Sequence, residues 1–149
     1  MNVPESQTVR DAMVPEPTTL DAGASAQEAG RAFAESPEVR ALFVTEDDGH
    51  LLGVITRKTL VREVVAAGRD PREVALSEIA EPPYYTLAAG LELDAGYHFL
   101  EEEDLERVPV VEEGGRLVGV LSRAVVRRRL AEDEPPAPDL DPESGSVVL

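Results

Sequence analysis

The chain has no cysteine, no tryptophan and only two histidines. Without thiols there are no disulfides, no thiolate nucleophile and no thiolate metal site. Two imidazoles are too few for a His-rich metal site: His50 falls in a Gly-containing turn and His98 within a helical pattern, and both read as surface or partly packed rings. No metal ligand is assigned. No stretch of about 18 apolar residues occurs, so no transmembrane helix is expected. The opening Met1–Arg10 is polar and carries Pro4 and Glu5, unlike a signal peptide, and a cytoplasmic location is expected. Ser-His-acid spacing, a Walker lysine motif and G-x-G-x-x-G are all missing, so no catalytic residue is assigned and no enzyme is expected.

Positive charge is also scarce: 14 basic residues face 30 acidic ones, a net −16. Six acidic and no basic groups fall in residues 131–149, so the rest of the chain still carries −10. Such a field repels nucleic acid and anionic membranes, and neither is expected as a partner. Residues 132–149 combine these acids with four prolines and no periodicity, which reads as a solvated, disordered tail.

What the chain does contain is one unit written twice. Shifted by 67 residues, Thr19-Leu20-Asp21-Ala22-Gly23 falls on Thr86-Leu87-Ala88-Ala89-Gly90, Pro15 on Pro82, Arg40 on Arg107 and Val44 on Val111. After a one-residue slip, placed in the following turn, Leu51-Leu52-Gly53-Val54-Ile55-Thr56-Arg57 falls on Leu117-Val118-Gly119-Val120-Leu121-Ser122-Arg123. In the first copy Ser25-Ala26-Gln27-Glu28 has capping-box spacing and opens a helix. The apolar runs 41–45 and 51–55 flank Asp47-Asp48-Gly49 as a hairpin. A helix from about Arg57 to Ala67 should present Leu60, Val61, Val64 and Val65 on one face and stop at Gly68. Asp70-Pro71 should start a further helix through Val74, Ala75 and Ile79, the counterpart of Val9–Met13. The second copy repeats this, with a helix near 93–100, strands 108–111 and 117–121, and a helix from Arg123 to about Ala131. A fold of class α/β or α+β follows, with two pseudo-twofold-related units, each strand–helix–hairpin–helix, covering residues 6–68 and 69–131. One unit of about 55 residues buries little core alone, which accounts for the pairing.

Several short motifs, in order, give this repeat a family likeness. Arg10-Asp11-Ala12-Met13 is similar to an opening V-x-D-x-M. Thr19-Leu20 and Thr86-Leu87 match a Thr-Val strand, and Arg107-Val108-Pro109-Val110-Val111 an R-x-P-V-V strand. Two Gly-hydrophobic-hydrophobic-Thr/Ser stretches complete the set. Together they resemble the tandem cystathionine-β-synthase (CBS) domain pair, or Bateman module, over roughly residues 6–131.

The resemblance implies a regulatory module with a cleft between the halves that takes an adenosine-containing ligand: AMP, ADP, ATP or S-adenosylmethionine. No required cofactor follows from it. Carried onto this sequence, Thr56 and Ser122 take the phosphate position, with Arg57 and Arg123 adding charge. Arg107, Val108 and Pro109 take the base strand, with Arg40 and Leu42 in the first copy, and Met13 and Tyr85 are the pre-strand residues near the base. The ribose position, an Asp in the family, reads Thr59 and Val125. A diol held by a carboxylate makes bonds of about 1.5–3 kcal/mol each, so modest affinity is expected. The likeness further implies a homodimer built through the helices. The alternative reading is a ligand-free CBS scaffold for protein–protein interaction or dimerisation.

Overall fold

The computed structural model describes residues 7–133. In chain order its elements are α1 (Val9–Ala12), β1 (Val14–Pro15), β2 (Thr19–Asp21), α2 (Ala26–Glu35), β3 (Ala41–Thr45), β4 (Leu51–Thr56), α3 (Arg57–Leu60), α4 (Leu76–Ile79), β5 (Leu87–Ala88), α5 (Leu93–Glu102), β6 (Arg107–Val111), β7 (Leu117–Ser122) and α6 (Arg123–Asp133). The expected acidic tail lies outside the described residues apart from its first two positions, which extend α6. No helix among the described residues is long and apolar enough to cross a membrane.

Two sheets form, β2-β3-β4 and β1-β7-β6-β5. Each carries one parallel and one antiparallel ladder built from its own copy: β2 pairs parallel with β3 as β5 does with β6, and the hairpins β3–β4 and β6–β7 close antiparallel. Period-2 alternation sends Leu42, Val44 and Ile55 inward in one sheet and Val108, Val110 and Leu121 in the other, all almost fully buried. The predicted capping box is present: Ser25 Oγ accepts from Glu28 N at 3.2 Å and the Glu28 carboxylate accepts back from Ser25 N at 3.3 Å.

The short helices cross over between copies. α1 lies before the first strand, yet Val9 and Ala12 are buried among Leu87, Leu93, Leu100 and Leu121 of the second copy. Conversely Val74, Leu76 and Ile79 complete the cluster around Ala29, Phe33, Leu42 and Ile55 of the first. The backbone makes the exchange reciprocal. Val9 N donates to Leu91 O at 2.8 Å and Leu93 N to Gln7 O at 3.1 Å; Leu76 N donates to Ala24 O at 2.9 Å and Ala26 N to Val74 O at 2.8 Å. The hairpin tips meet in the same symmetric manner, with Leu51 N donating to Gly115 O and Leu117 N to Gly49 O, both at 3.0 Å.

Crossing segments also pair along the outer edges of the hairpins, and their close approach explains two glycines. Val14 pairs with Val120, and Glu81 with Val54. A Cβ at Gly53 would stand 2.6 Å from Glu81 O, and one at Gly119 2.8 Å from Val14 O. Gly53→Ala and Gly119→Ala are each expected to cost about 1–3 kcal/mol of stability through overpacking. Urea denaturation checks this; an unchanged midpoint would mean that the crossing segments shift freely.

Three expectations need correction. First, the one-residue slip is not in the hairpin turn. Ala41 pairs with Thr56 as Arg107 pairs with Ser122, and the ladder irregularity falls at Val44/Thr45 and Val110/Val111, so both hairpins have identical register at a shift of 66. The indel sits before β3 and β6, where five residues connect α2 to β3 and four connect α5 to β6. Ala41, Leu42 and Phe43 therefore occupy the places of Arg107, Val108 and Pro109, and Arg40 is not the counterpart of Arg107.

Second, the helix after β4 keeps α-geometry only to Leu60 and continues as a π-helical turn over Val61–Val65, with Ala66 N bonding Val61 O at 2.7 Å. The extra residue per turn rotates the apolar stripe. Val64 goes to the core, whereas Val61 and Val65 are 56% and 71% exposed. Gly68 ends the run at φ +72°, as expected.

Third, the helix expected from Asp70-Pro71 through Ile79 is split. Asp70 caps a single 3-10 turn, Pro71–Glu73, by accepting from Arg72 N at 3.0 Å. Val74 is then extended, because the backbone at 74–76 is spent on pairing with residues 24–26, and α4 begins only at Leu76.

Candidate functional site

Each hairpin ends at a strand–helix corner, and the expected ligand residues gather at these two equivalent corners, the first and second cleft that the family resemblance implies. In the first, Thr56 closes β4 and caps α3. Its hydroxyl accepts from Thr59 N at 3.2 Å, while Thr59 Oγ1 accepts from Thr56 N at 3.2 Å and lies 3.0 Å from Thr56 Oγ1. Thr59 is fully buried, and its hydroxyl donates to the Glu81 carboxylate at 3.1 Å. The Thr59 hydroxyl is thus not free for a ligand but belongs to a reciprocal cap. In the second cleft Ser122 Oγ accepts from Val125 N at 3.3 Å, and Val125 offers only an apolar surface.

The arginines beside these caps do not serve the clefts. Arg57 donates to the carbonyls of Val39 at 2.6 Å, Phe33 at 3.0 Å, Pro37 at 3.2 Å and Ser36 at 3.4 Å, and its guanidinium lies over the Phe33 ring at 4.7 Å. It closes the C-terminal end of α2. Arg123 pairs with Glu106 at 2.6 Å and Asp104 at 3.3 Å, with its side chain only 15% exposed. Glu106, with a smaller contribution from Asp104, raises its pKa above the ordinary guanidinium value. The expectation that both add charge at the phosphate position is therefore corrected: each latches its own helix–strand loop.

Arg107 is different. Its Cα pairs directly across the ladder from Ser122, its side chain is exposed, and it makes no ion pair among the described residues. Val108 is buried and Pro109 partly so, which places Pro109 on the accessible side of β6. In the first cleft Leu42 is buried in the core and Phe43 takes the accessible position. Arg40 precedes β3 and is exposed. The crossing segments redistribute the pre-strand residues too. Met13 lies against Gly119 of β7, so this first-copy side chain lines the second cleft. Tyr85 packs edge-on against Phe99 of α5 at 5.2 Å and donates its hydroxyl to Glu103 at 3.2 Å, which ties it to its own copy's helix.

One residue of the first cleft escaped the sequence reading. Glu81 accepts from Arg62 at 2.6 Å as well as from Thr59, and the Arg62 bond, then Thr59, holds its carboxyl below the usual carboxylate range. The only hint in the sequence is that Glu81 stands 67 residues after Val14. A separate groove of about 480 Å³, lined by Ala26, Leu60, Val65 and Pro71 together with Arg31 and Arg69 among others, lies on the helical face and includes none of the expected ligand residues. Among the described residues no group of three or more His, Asp or Glu is placed to hold a metal.

The model of the CBS domain matches this chain twice, at residues 9–66 and 76–132. The chain belongs to the CBS-domain family. Hypoxic response protein 1 of Mycobacterium tuberculosis is 32% identical over 100 residues, 67% of this chain and 69% of that protein. A crystal structure of Hypoxic Response Protein I with two coordinated zinc ions superposes with a TM-score of 0.69 at 30% identity, covering 83% of this chain and 98% of that one. A structure of CBSX2 in complex with AMP gives a TM-score of 0.66 at 24% identity, covering 86% and 99%, a likeness of fold. The mixed α/β architecture of the CBS pair is thus common to all three.

Proposed function

We propose that this chain is a non-catalytic, cytoplasmic regulatory CBS pair that binds an adenosine-containing ligand, AMP, ADP, ATP or S-adenosylmethionine, between its halves and assembles as a homodimer. The observation that carries this reading is the corner of β6 and β7. There Arg107, without an ion pair among the described residues, stands across the ladder from the helix-capping hydroxyl of Ser122. In a chain of net charge −16 an unneutralised cation beside a hydroxyl donor is what an anionic ligand requires. The CBS pair solved with AMP shares the fold and supports the ligand class.

Calorimetry on the full chain tests it. AMP, ADP, ATP and S-adenosylmethionine are titrated in turn, and at least one is expected to bind with a Kd of about tens of micromolar. Arg107→Ala should weaken an anionic ligand about tenfold, whereas Arg57→Ala should lower the melting temperature with little effect on Kd. The second reading, a ligand-free scaffold, is favoured by one observation: the ribose positions hold a hydroxyl already engaged and an apolar side chain, Thr59 and Val125. Absence of heat from every ligand at about millimolar concentration would select it.

A further inference from the structure

The two strand–helix corners share a fold but differ in where their protons go. A hydroxyl carries one proton, and an ionised carboxylate can only accept. In the first corner Glu81 is that carboxylate: Arg62 above all, and then Thr59, hold it below the usual carboxylate range, so it stays ionised. The Thr59 hydroxyl gives its single proton to Glu81 Oε2 at 3.1 Å. In the 3.0 Å contact between the two threonine hydroxyls the donor is therefore Thr56, whose proton is spent on Thr59 Oγ1. Thr56 has no hydroxyl proton left for an anion.

Charge at this corner has the same bias. Opposite Thr56 on the ladder stands Ala41, which brings no cation. Arg62 is held between two carboxylates, Glu81 at 2.6 Å and Glu63 at 3.1 Å, and Lys58 acts on Glu81 as well. The Glu81 carboxylate is two hydrogen bonds away from Thr56 Oγ1. That is inside the Debye length of about 8 Å at physiological ionic strength, so salt does not screen it from an anion at that hydroxyl.

Each of these features is missing or reversed in the second corner. Val125 stands in the place of Thr59, and the crossing segment brings Val14 in the place of Glu81. Ser122 Oγ accepts from Val125 N at 3.3 Å, and among the described residues its proton has no acceptor. Opposite Ser122 stands Arg107, where the first corner has Ala41.

We propose that Glu81, acting through Thr59, closes the first corner to phosphate, so that each chain takes a single nucleotide with its phosphate at Ser122 and Arg107. This rests on the reading of the protein as an adenosyl-ligand binder and narrows it: the ligand carries a phosphate, and the two halves are not two equal sites. Glu81 is a positioning residue here. It touches no ligand and acts by drawing the Thr59 proton and by its charge.

Equilibrium dialysis of the full chain against AMP, ADP, ATP and S-adenosylmethionine counts the ligand bound per chain at saturation. Wild type is expected to hold one nucleotide, and Arg107→Ala to raise its Kd about tenfold. The triple variant Ala41→Arg, Thr59→Val, Glu81→Val gives the first corner the residues of the second and is expected to hold two, a gain that damage to the fold does not produce. Two nucleotides per wild-type chain, or one whose Kd is unchanged in Arg107→Ala, overturns the inference while the ligand reading stands. So does a folded triple variant that still holds one, and so does binding of S-adenosylmethionine alone. Should the triple variant fail to fold, the wild-type count and Arg107→Ala decide the matter. No binding of any of the four overturns both the inference and the ligand reading beneath it.

Discussion

A chain carrying Val9→Asp is expected to lose the second unit of the fold, although residue 9 lies in the first copy of the repeat. Val9 is fully buried among Leu87, Leu93, Leu100, Leu121 and Val126. A carboxylate placed there has no cation to pair with, and an uncompensated buried charge costs about 3–5 kcal/mol or more. That is a large share of the roughly 5–15 kcal/mol by which domains are stable. Segment-resolved hydrogen exchange is the measurement. Protection should fall first and furthest in β6 and β7, with β3 and β4 following only as the hairpin tips lose their shared bonds. Leu76→Asp should do the reverse, stripping β3 and β4 first, because Leu76 is buried against Phe33, Leu42 and Ile55. If Val9→Asp instead releases β3 and β4, the exchange of short helices is wrong and each copy packs its own.

Why that exchange was invisible in the sequence is a matter of equivalence. Val9 and Leu76 are apolar residues opening helices in corresponding parts of two similar copies, and either helix would satisfy either sheet. Hydrophobic periodicity specifies that a helix has a buried face, not which of two like surfaces covers it. The units themselves were legible because their strands are short, branched and bounded by turns, and because repetition confirmed each element against its twin. Register was less so. Aligning Arg40 with Arg107 gave identical residues and a plausible indel in a turn, whereas the ladders align Ala41 with Arg107 and move the indel to the helix–strand loop. Surface identity outvoted the alternation of Leu42 and Val44, the physical constraint on a strand.

In the site, the local parts were legible and the long-range parts were not. Capping by Thr56 and Ser122 follows from residue type and position and is present in both corners. Arg57 and Arg123 sit next to those caps in sequence, yet long side chains reach backwards to the helix–strand loops they follow in space. Thr59 was readable as a departure from the family pattern. Glu81, 22 residues further on and in the connection to the other copy, accepts the Thr59 hydroxyl, a contact that no local spacing announces. The π-helical turn was also beyond reach, since Leu60, Val61, Val64 and Val65 fit a 3.6-residue period as written.

That turn leads to the second large effect, expected in assembly. It exposes Val61 and Val65 on the helical face that carries the groove lined by Ala26, Leu60, Val65 and Pro71 together with Arg31 and Arg69. The proposed homodimer would bury Val61 and Val65, of which Val65 is the more exposed. The double variant Val61→Asp, Val65→Asp would place four added carboxylates in a symmetric interface, between two chains that already carry −16 each. Such a change is expected to weaken association at least about a hundredfold. Both residues point to solvent within one chain, so the melting temperature of the separated chain should change little. Sedimentation velocity at about tens of micromolar protein checks this: wild type should run as a dimer, more completely as added salt screens the mutual repulsion, and the variant as a monomer. A wild type that is monomeric across the salt series refutes the dimer. A variant that remains dimeric moves the interface to another face of the molecule.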